Sequence, residues 1–314
     1  MATAFIFPGQ GSQTVGMGKA LAEAFPAARA VFDEVDAALS QKLSTLMWDG
    51  PAEELTLTAN TQPALMAVSL AAIRVLEAEA GLSLKDDAAF VAGHSLGEYS
   101  ALAAAGTFSI SDAARLLRIR GDAMQKAVPA GEGAMAALLG VELDQARAIA
   151  ADAAQGQVCE AANDNGGGQV VLSGAKAAVE RAIALAGERG VRRAMLLPVS
   201  APFHCALMQP AAEAMQAALA DVAMQAPVVP VMANVGVAPL SDPAAIRASL
   251  VAQVTGTVRW RECVEAMAAA GVGRFFEIGS GKVLAGLVKR IAAGTAATSI
   301  GSPDDIAAYK AQKG

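Results

Sequence analysis

Two histidines, three cysteines and two tryptophans are all that 314 residues contain, and each scarcity removes a class of function. Cys159, Cys205 and Cys263 are odd in number, far apart and without CxxC spacing. That argues against a disulfide framework or a structural zinc site and reads them as small buried residues. Aromatic residues make up 4 % of a chain that is 54 % hydrophobic, so the mean hydropathy of +0.40 comes from alanine and small aliphatic side chains. Long apolar runs are missing. The run at 134–141 falls far below the roughly 20 residues needed to span a bilayer, so no transmembrane helix is expected. Residues 1–7, followed at once by Pro8 and Gly9, lack the basic region and apolar core of a secretory leader, and a cytoplasmic protein is expected. Positive charge is also short: 24 Lys and Arg against 30 Asp and Glu leave a net charge of -6. A general nucleic-acid binder would need the opposite balance to displace counterions from phosphates.

What is present is a regular alternation. Short apolar runs at 4–7, 89–92, 228–233 and 274–278 alternate with helical patterns at 64–80, 112–127, 207–220, 261–270 and 283–292. This predicts an α/β fold with a mostly parallel sheet. One interval has its own order of elements, with strands at 134–139, 157–161, 170–172 and 192–197 and helices at 144–154 and 179–189. That is the βαββαβ order of a ferredoxin-like unit. The chain is therefore expected to form a large lobe from 1–127 and 199–314 and a small inserted lobe from 128–198, with a ligand site in the cleft between them.

Gly93-His94-Ser95-Leu96-Gly97 fits the G-x-S-x-G nucleophile elbow, and the context agrees: an apolar strand leads in and a helical run leads out. A serine hydroxyl needs a base to remove its proton. His94 precedes the serine, and neighbouring side chains at a strand end face opposite ways. His204, in the run Ser200-Ala201-Pro202-Phe203-His204, is left as the base. The tetrahedral oxyanion needs two N–H donors. Leu96 supplies the first, and Gln10, in the glycine-rich run Phe7-Pro8-Gly9-Gln10-Gly11-Ser12-Gln13, is the expected second. That run lacks the lysine and hydroxyl residue of a phosphate-binding loop. On the helix at 112–127, Leu116, Ile119, Ala123, Met124 and Ala127 form an apolar stripe with Arg120 in its middle, while Arg115, Arg118 and Asp122 face the other way. A buried guanidinium keeps its charge and requires a carboxylate. Either an internal Asp or Glu or the substrate could supply it.

Four segments together resemble the malonyl-CoA:acyl carrier protein transacylase family: 7–13, Gly93-His94-Ser95-Leu96-Gly97-Glu98-Tyr99-Ser100-Ala101, Arg120 in Ile119-Arg120-Gly121, and Pro202-Phe203-His204. The likeness extends over the chain, including Asn163, Gln253 and the tail at 277–284. It implies a hydrolase-like α/β lobe with a ferredoxin-like insertion. It also implies ping-pong transfer: Ser95 takes a malonyl group from malonyl-CoA as an ester and passes it to the phosphopantetheine thiol of acyl carrier protein, for fatty acid biosynthesis. His204 would be general base and acid, its imidazole held by a backbone carbonyl at Gln253. Arg120 would bind the malonyl carboxylate as a bidentate pair. Phe203 would crowd out an α-methyl group, and Asn163 would contribute to substrate binding.

One departure stands out, since 163–168 carries three consecutive glycines where the family has a more varied turn. No metal site and no cofactor are expected. The expected molecule is a monomer with no nucleic-acid or membrane partner. Because the carrier is acidic and so is this chain, local complementarity must steer docking, and the candidates are Arg189, Arg192, Arg193, Lys282, Lys289 and Arg290. Three other readings stay open: a serine thioesterase or esterase with the same elbow, an acyltransferase serving polyketide synthesis, and a non-catalytic docking module.

Overall fold

The computed structural model describes residues 1–199 and 201–313; Ser200 of the histidine run lies outside them. Ten strands form two sheets: β1 (Ala2–Phe7), β2 (Phe90–Gly93), β3 (Gly133–Leu139), β4 (Cys159–Gly166), β5 (Gln169–Ala175), β6 (Arg193–Leu196), β7 (Val231–Met232), β8 (Pro239–Leu240), β9 (Val272–Ile278) and β10 (Ala296–Ile300). The first sheet has the order β10-β9-β1-β2-β7-β8 and is parallel except for the edge pair β7–β8. Its central strand β1 is an unbroken run of small and apolar residues because helices cover both of its faces. The second sheet is antiparallel with the order β4-β5-β3-β6. Its first strand in sequence lies between its third and fourth, as a ferredoxin-like unit requires. The α/β class with a mostly parallel sheet and a separate ferredoxin-like sheet is therefore the fold that the sequence pattern predicts.

Register positions the chemistry. Phe7 of β1 pairs with Gly93 of β2, and Ala92 pairs with Met232 of β7. The glycine-rich loop after β1, the Ser95 elbow after β2 and Asn234 after β7 thus leave the same carboxyl edge of the sheet side by side, where ligand sites of open α/β sheets gather. The small sheet buries its inner face under two alanine-rich helices, Leu143–Ala154 and Lys176–Glu188.

Four expectations change. The run at 228–233 shortens to β7, since Pro227 and Pro230 have no N–H to give a ladder. β4 continues to Gly166, which places Asn163 in a strand rather than at the start of the loop. The turn is Gly166-Gly167-Gly168, with φ of 73°, 59° and 75°, a left-handed path that glycine follows without strain. In the Ile110–Lys126 helix the buried residues are Ile110, Ala113, Ala114, Leu116, Leu117, Arg120, Gly121 and Met124, and Ile119 is 41 % exposed. Arg118, expected in solvent, is half-buried and donates to Asn60 Oδ1 at 2.9 Å. No helix among the described residues is long and apolar enough to cross a membrane.

Candidate active site

At the end of β2 the chain must reverse into the Gly97–Ala104 helix within three residues. Ser95 makes that turn with φ of 54°, a conformation that costs a residue with a side chain about 1–3 kcal/mol. The glycines permit the close approach: a Cβ on Gly93 would overlap the Gly97 carbonyl, and one on Gly97 would overlap the Phe7 oxygen. Asn234 holds the strained turn from the next strand. Its Oδ1 accepts from the Ser95 N–H at 2.8 Å, and its Nδ2 donates to the Gly93 oxygen at 2.7 Å.

The Ser95 hydroxyl meets two groups that are remote in sequence. His204 Nε2 lies 2.8 Å from Oγ, and Arg120 Nη2 donates to the same oxygen at 3.1 Å. His204 Nδ1 is 2.8 Å from the Gln253 backbone oxygen. A carbonyl can only accept, so Nδ1 carries the hydrogen and Nε2 offers its lone pair to the serine O–H. Burial, and after it the Arg120 charge, depress the imidazole pKa to about 3. The base is thus neutral and ready to accept a proton at ordinary pH.

Arg120 is 1 % exposed. Its Nη1 donates to Gln62 Oε1 at 2.8 Å and its Nη2 to Gln253 Oε1 at 2.9 Å, while Nε–H has no partner among the described residues. The Tyr99 ring lies 5.7 Å from the guanidinium carbon. Among the described residues no carboxylate forms an ion pair with it. The nearest arrangement is indirect: Gln253 Nε2 donates to Glu98 Oε2 at 2.9 Å and to the Ser95 oxygen at 3.1 Å. Burial raises the Glu98 carboxyl to about 7 against the opposing hydrogen bonds and the Arg120 charge.

These groups open into a crevice of about 410 Å³. Gln10 and Leu96 line it, and their backbone N–H groups have no acceptor among the described residues. Phe203 lines it beside the base, and so does Asn163, whose side-chain amide makes no hydrogen bond among the described residues. His94 also borders the crevice, yet its Nε2 is 2.9 Å from Asn165 Oδ1 on the small sheet rather than near Ser95. Ser95, His204, Arg120, Gln10, Leu96, Phe203, Asn163 and Gln253 therefore come together. Reasoning from sequence missed Gln62, Asn234 and the buried state of Glu98. Asn234 had a signal, because it directly follows an apolar run at the sheet's carboxyl edge; Gln62 had only its odd polarity in an apolar helix. A second cavity of about 430 Å³, between 14–21 and 279–282, is lined by neither histidine nor cysteine among the described residues.

Comparison with known proteins agrees with this geometry. The acyl transferase domain family matches residues 4–304. A malonyl CoA-acyl carrier protein transacylase of Escherichia coli K12 is 48 % identical over 305 residues, 97 % of each chain. The crystal structure of an acyl-carrier-protein-S-malonyltransferase from Bartonella henselae superposes with a TM-score of 0.98 at 59 % identity, covering 100 % of this chain and 99 % of that one. A malonyl-transacylase in complex with a type II PKS acyl carrier protein superposes at 0.96 with 42 % identity, covering 99 % and 100 %. The chain belongs to the malonyl-CoA:acyl carrier protein transacylase family, a branch of the acyl transferases.

Proposed function

We propose that this enzyme moves a malonyl group from malonyl-CoA to the phosphopantetheine thiol of acyl carrier protein through an ester on Ser95, for fatty acid biosynthesis. The observation that carries the reading is a buried guanidinium that stands beside an imidazole-paired serine and, among the described residues, has an unused Nε–H and no ion pair. A carboxylate is the acceptor that a guanidinium fork fits best, and malonyl differs from acetyl by that group alone.

In the first half-reaction His204 Nε2 takes the Ser95 proton while Oγ attacks the thioester carbonyl. The oxyanion rests on the Gln10 and Leu96 N–H groups, and the departing coenzyme A thiolate recovers the proton from His204. In the second half-reaction the carrier thiol gives its proton to His204 and attacks the ester, and Ser95 leaves with the proton returned. The Gln253 carbonyl keeps the imidazole oriented throughout. Phe203 crowds an α-substituent, and Asn163 borders the acyl chain's path. Malonyl-CoA is a substrate, and the phosphopantetheine belongs to the carrier. The reading comprises a cytoplasmic monomer that needs no metal, cofactor, nucleic acid or membrane.

Intact-mass measurement after mixing with malonyl-CoA is expected to show one added malonyl, absent from Ser95→Ala; an unmodified parent sinks the reading. Arg120→Ala removes a charge-assisted pair of about 1.5–3 kcal/mol and slows malonyl transfer roughly 10- to 150-fold. Acetyl transfer stays similar or improves, and equal loss of both would overturn the clamp. Hydrolysis that outruns transfer at saturating carrier would make the protein a thioesterase instead. Parallel transfer to fatty-acid and polyketide carriers separates the two pathways.

A further inference from the structure

Glu98 stands three residues after Ser95, and the transfer chemistry above assigns it no task. Its carboxylate is buried, and one oxygen, Oε2, accepts from two sides: the Asn234 backbone N–H at 3.0 Å and Gln253 Nε2 at 2.9 Å. Each donor residue also touches a reacting group. Asn234 Oδ1 receives the Ser95 N–H. Gln253 is the crossing point, because its side-chain oxygen accepts from Arg120, its side-chain nitrogen reaches the Ser95 carbonyl, and its backbone oxygen holds His204. A side-chain amide can be turned either way. An acceptor-only carboxylate on one side and a donor-only guanidinium on the other leave a single orientation, with nitrogen toward Glu98 and oxygen toward Arg120.

Glu277 shows what a purely structural buried glutamate does in this protein. It caps the Val283–Ile291 helix by accepting from the Leu284 and Ala285 N–H groups at 3.0 and 2.8 Å. The Glu98 bonds run instead to two residues that themselves hydrogen-bond the reacting groups. We propose that Glu98 is a positioning residue for acyl transfer, acting through Gln253 and Asn234 to hold the Arg120 guanidinium, the His204 imidazole and the Ser95 backbone in one arrangement. The inference rests on the roles given to Ser95, His204 and Arg120 above.

A charged acceptor holds its donors more strongly than a protonated one, so the arrangement tightens as Glu98 ionises. Three titratable groups face it: Arg120 from the Ile110–Lys126 helix, Cys263 from the Trp260–Ala269 helix and Tyr99 from its own helix. Burial pushes the thiol and the phenol upward, and the guanidinium stays charged, so none of them titrates near neutrality. His204 has lost its proton far below that range. A rise in acylation rate through a pH of about 7 is therefore the mark of Glu98.

The test is single-turnover loading of Ser95 from malonyl-CoA and from acetyl-CoA, followed by intact mass across the neutral range. Glu98→Ala is expected to slow both about 10- to 100-fold, as small misplacements of reacting groups do. Glu98→Gln keeps a neutral acceptor of the same size, recovers most of that loss and flattens the rise near neutrality. A Glu98→Gln variant with the parent's pH dependence, or a Glu98→Ala variant with the parent's rates, overturns the proposal. If the alanine variant does not fold, the pH profile of the glutamine variant decides alone. A parent that takes no malonyl overturns this inference together with the site reading, whereas normal loading beside unaffected Glu98 variants removes only the positioning role.

Discussion

A neutral imidazole and a permanent cation share one serine hydroxyl, and their coupling sets the pH behaviour of the base. Arg120 is the second cause, after desolvation, of the low His204 pKa. On the proposed role, a substrate carboxylate on Arg120 is expected to cancel part of that push and so to strengthen the base that transfers it. Removing the guanidinium should have the same effect for acetyl: in Arg120→Ala the acid limb of acetyl loading moves to higher pH, toward the ordinary imidazole range. Stability carries the opposite mark of this residue. The imidazole binds its proton less readily folded than unfolded, so its contribution is complete above the ordinary value of 6.5 and is lost as pH falls toward about 3. Denaturant titrations of the parent and of His204→Gln over that window should converge at its acid end. At this scale Ser95, His204 and Arg120 were legible because a nucleophile pattern, a near absence of histidine and a charge inside an apolar stripe are local signals. Gln62 was not, since a neutral amide has no periodicity until its partners are known, and Asn234 was marked only by its place directly after an apolar run.

Between elements, backbone approach decides what the site can hold. Gly121, next to Arg120, lies against the Thr58–Ala80 helix, where an added Cβ would stand 2.6 Å from Ala59 Cα and 2.8 Å from the Thr58 oxygen. Helix backbones cannot yield locally as a flexible side chain can. Gly121→Ala should destabilise by about 1–3 kcal/mol, the usual range for overpacking, measured as a lowered denaturant midpoint. It should also reduce malonyl loading, because the same displacement carries Arg120 away from Ser95. Periodicity located the helices around 64–80 and 112–127 and the buried strands β1, β2 and β9, whose pattern repeats over several residues, but it missed the Pro26–Leu39, Pro243–Thr255 and Pro303–Lys313 helices. It overextended β7, where two prolines interrupt the ladder, and did not find the edge strands β8 and β10. It also misplaced Ile119, because eight buried positions at helical spacing leave the stripe's exact edge to whichever neighbour happens to cover it.

Across the whole molecule, the two sheets are tied along β4. Val258 N–H donates to the Ala162 oxygen at 2.8 Å, Asp164 N–H to the Val258 oxygen at 2.9 Å, and Thr257 Oγ1 to the Ala161 oxygen at 2.7 Å. Arg261 pairs with the buried Asp164 carboxylate at 2.9 Å. Arg261→Ala strands that carboxylate and should cost about 1–3 kcal/mol, the penalty for a buried group left unsatisfied, read by chemical denaturation. The glycine turn after β4 packs beside two basic residues: Gly167 abuts Arg290 of the Val283–Ile291 helix, and Gly168 abuts Gly140, which in turn abuts Arg192. Arg189, by contrast, is already paired with Asp152. On a chain of net charge -6, Arg192 and Arg290 are the expected docking place for an acidic carrier. Transfer to carrier should therefore weaken with added salt, and more steeply in the parent than in an Arg192→Glu, Arg290→Glu variant.

The amino-acid sequence alone determined the α/β class, the inserted βαββαβ unit, the elbow serine and the inward arginine, because each is written in spacing over a few residues. Only the tertiary structure decided that Arg120 has no counter-ion in contact among the described residues, that Asn234 and Gln253 hold the reacting groups, and that Glu98 is buried behind them. Those facts depend on strand register and on which helices meet, and they join positions from 49 to 158 residues apart that no local pattern connects.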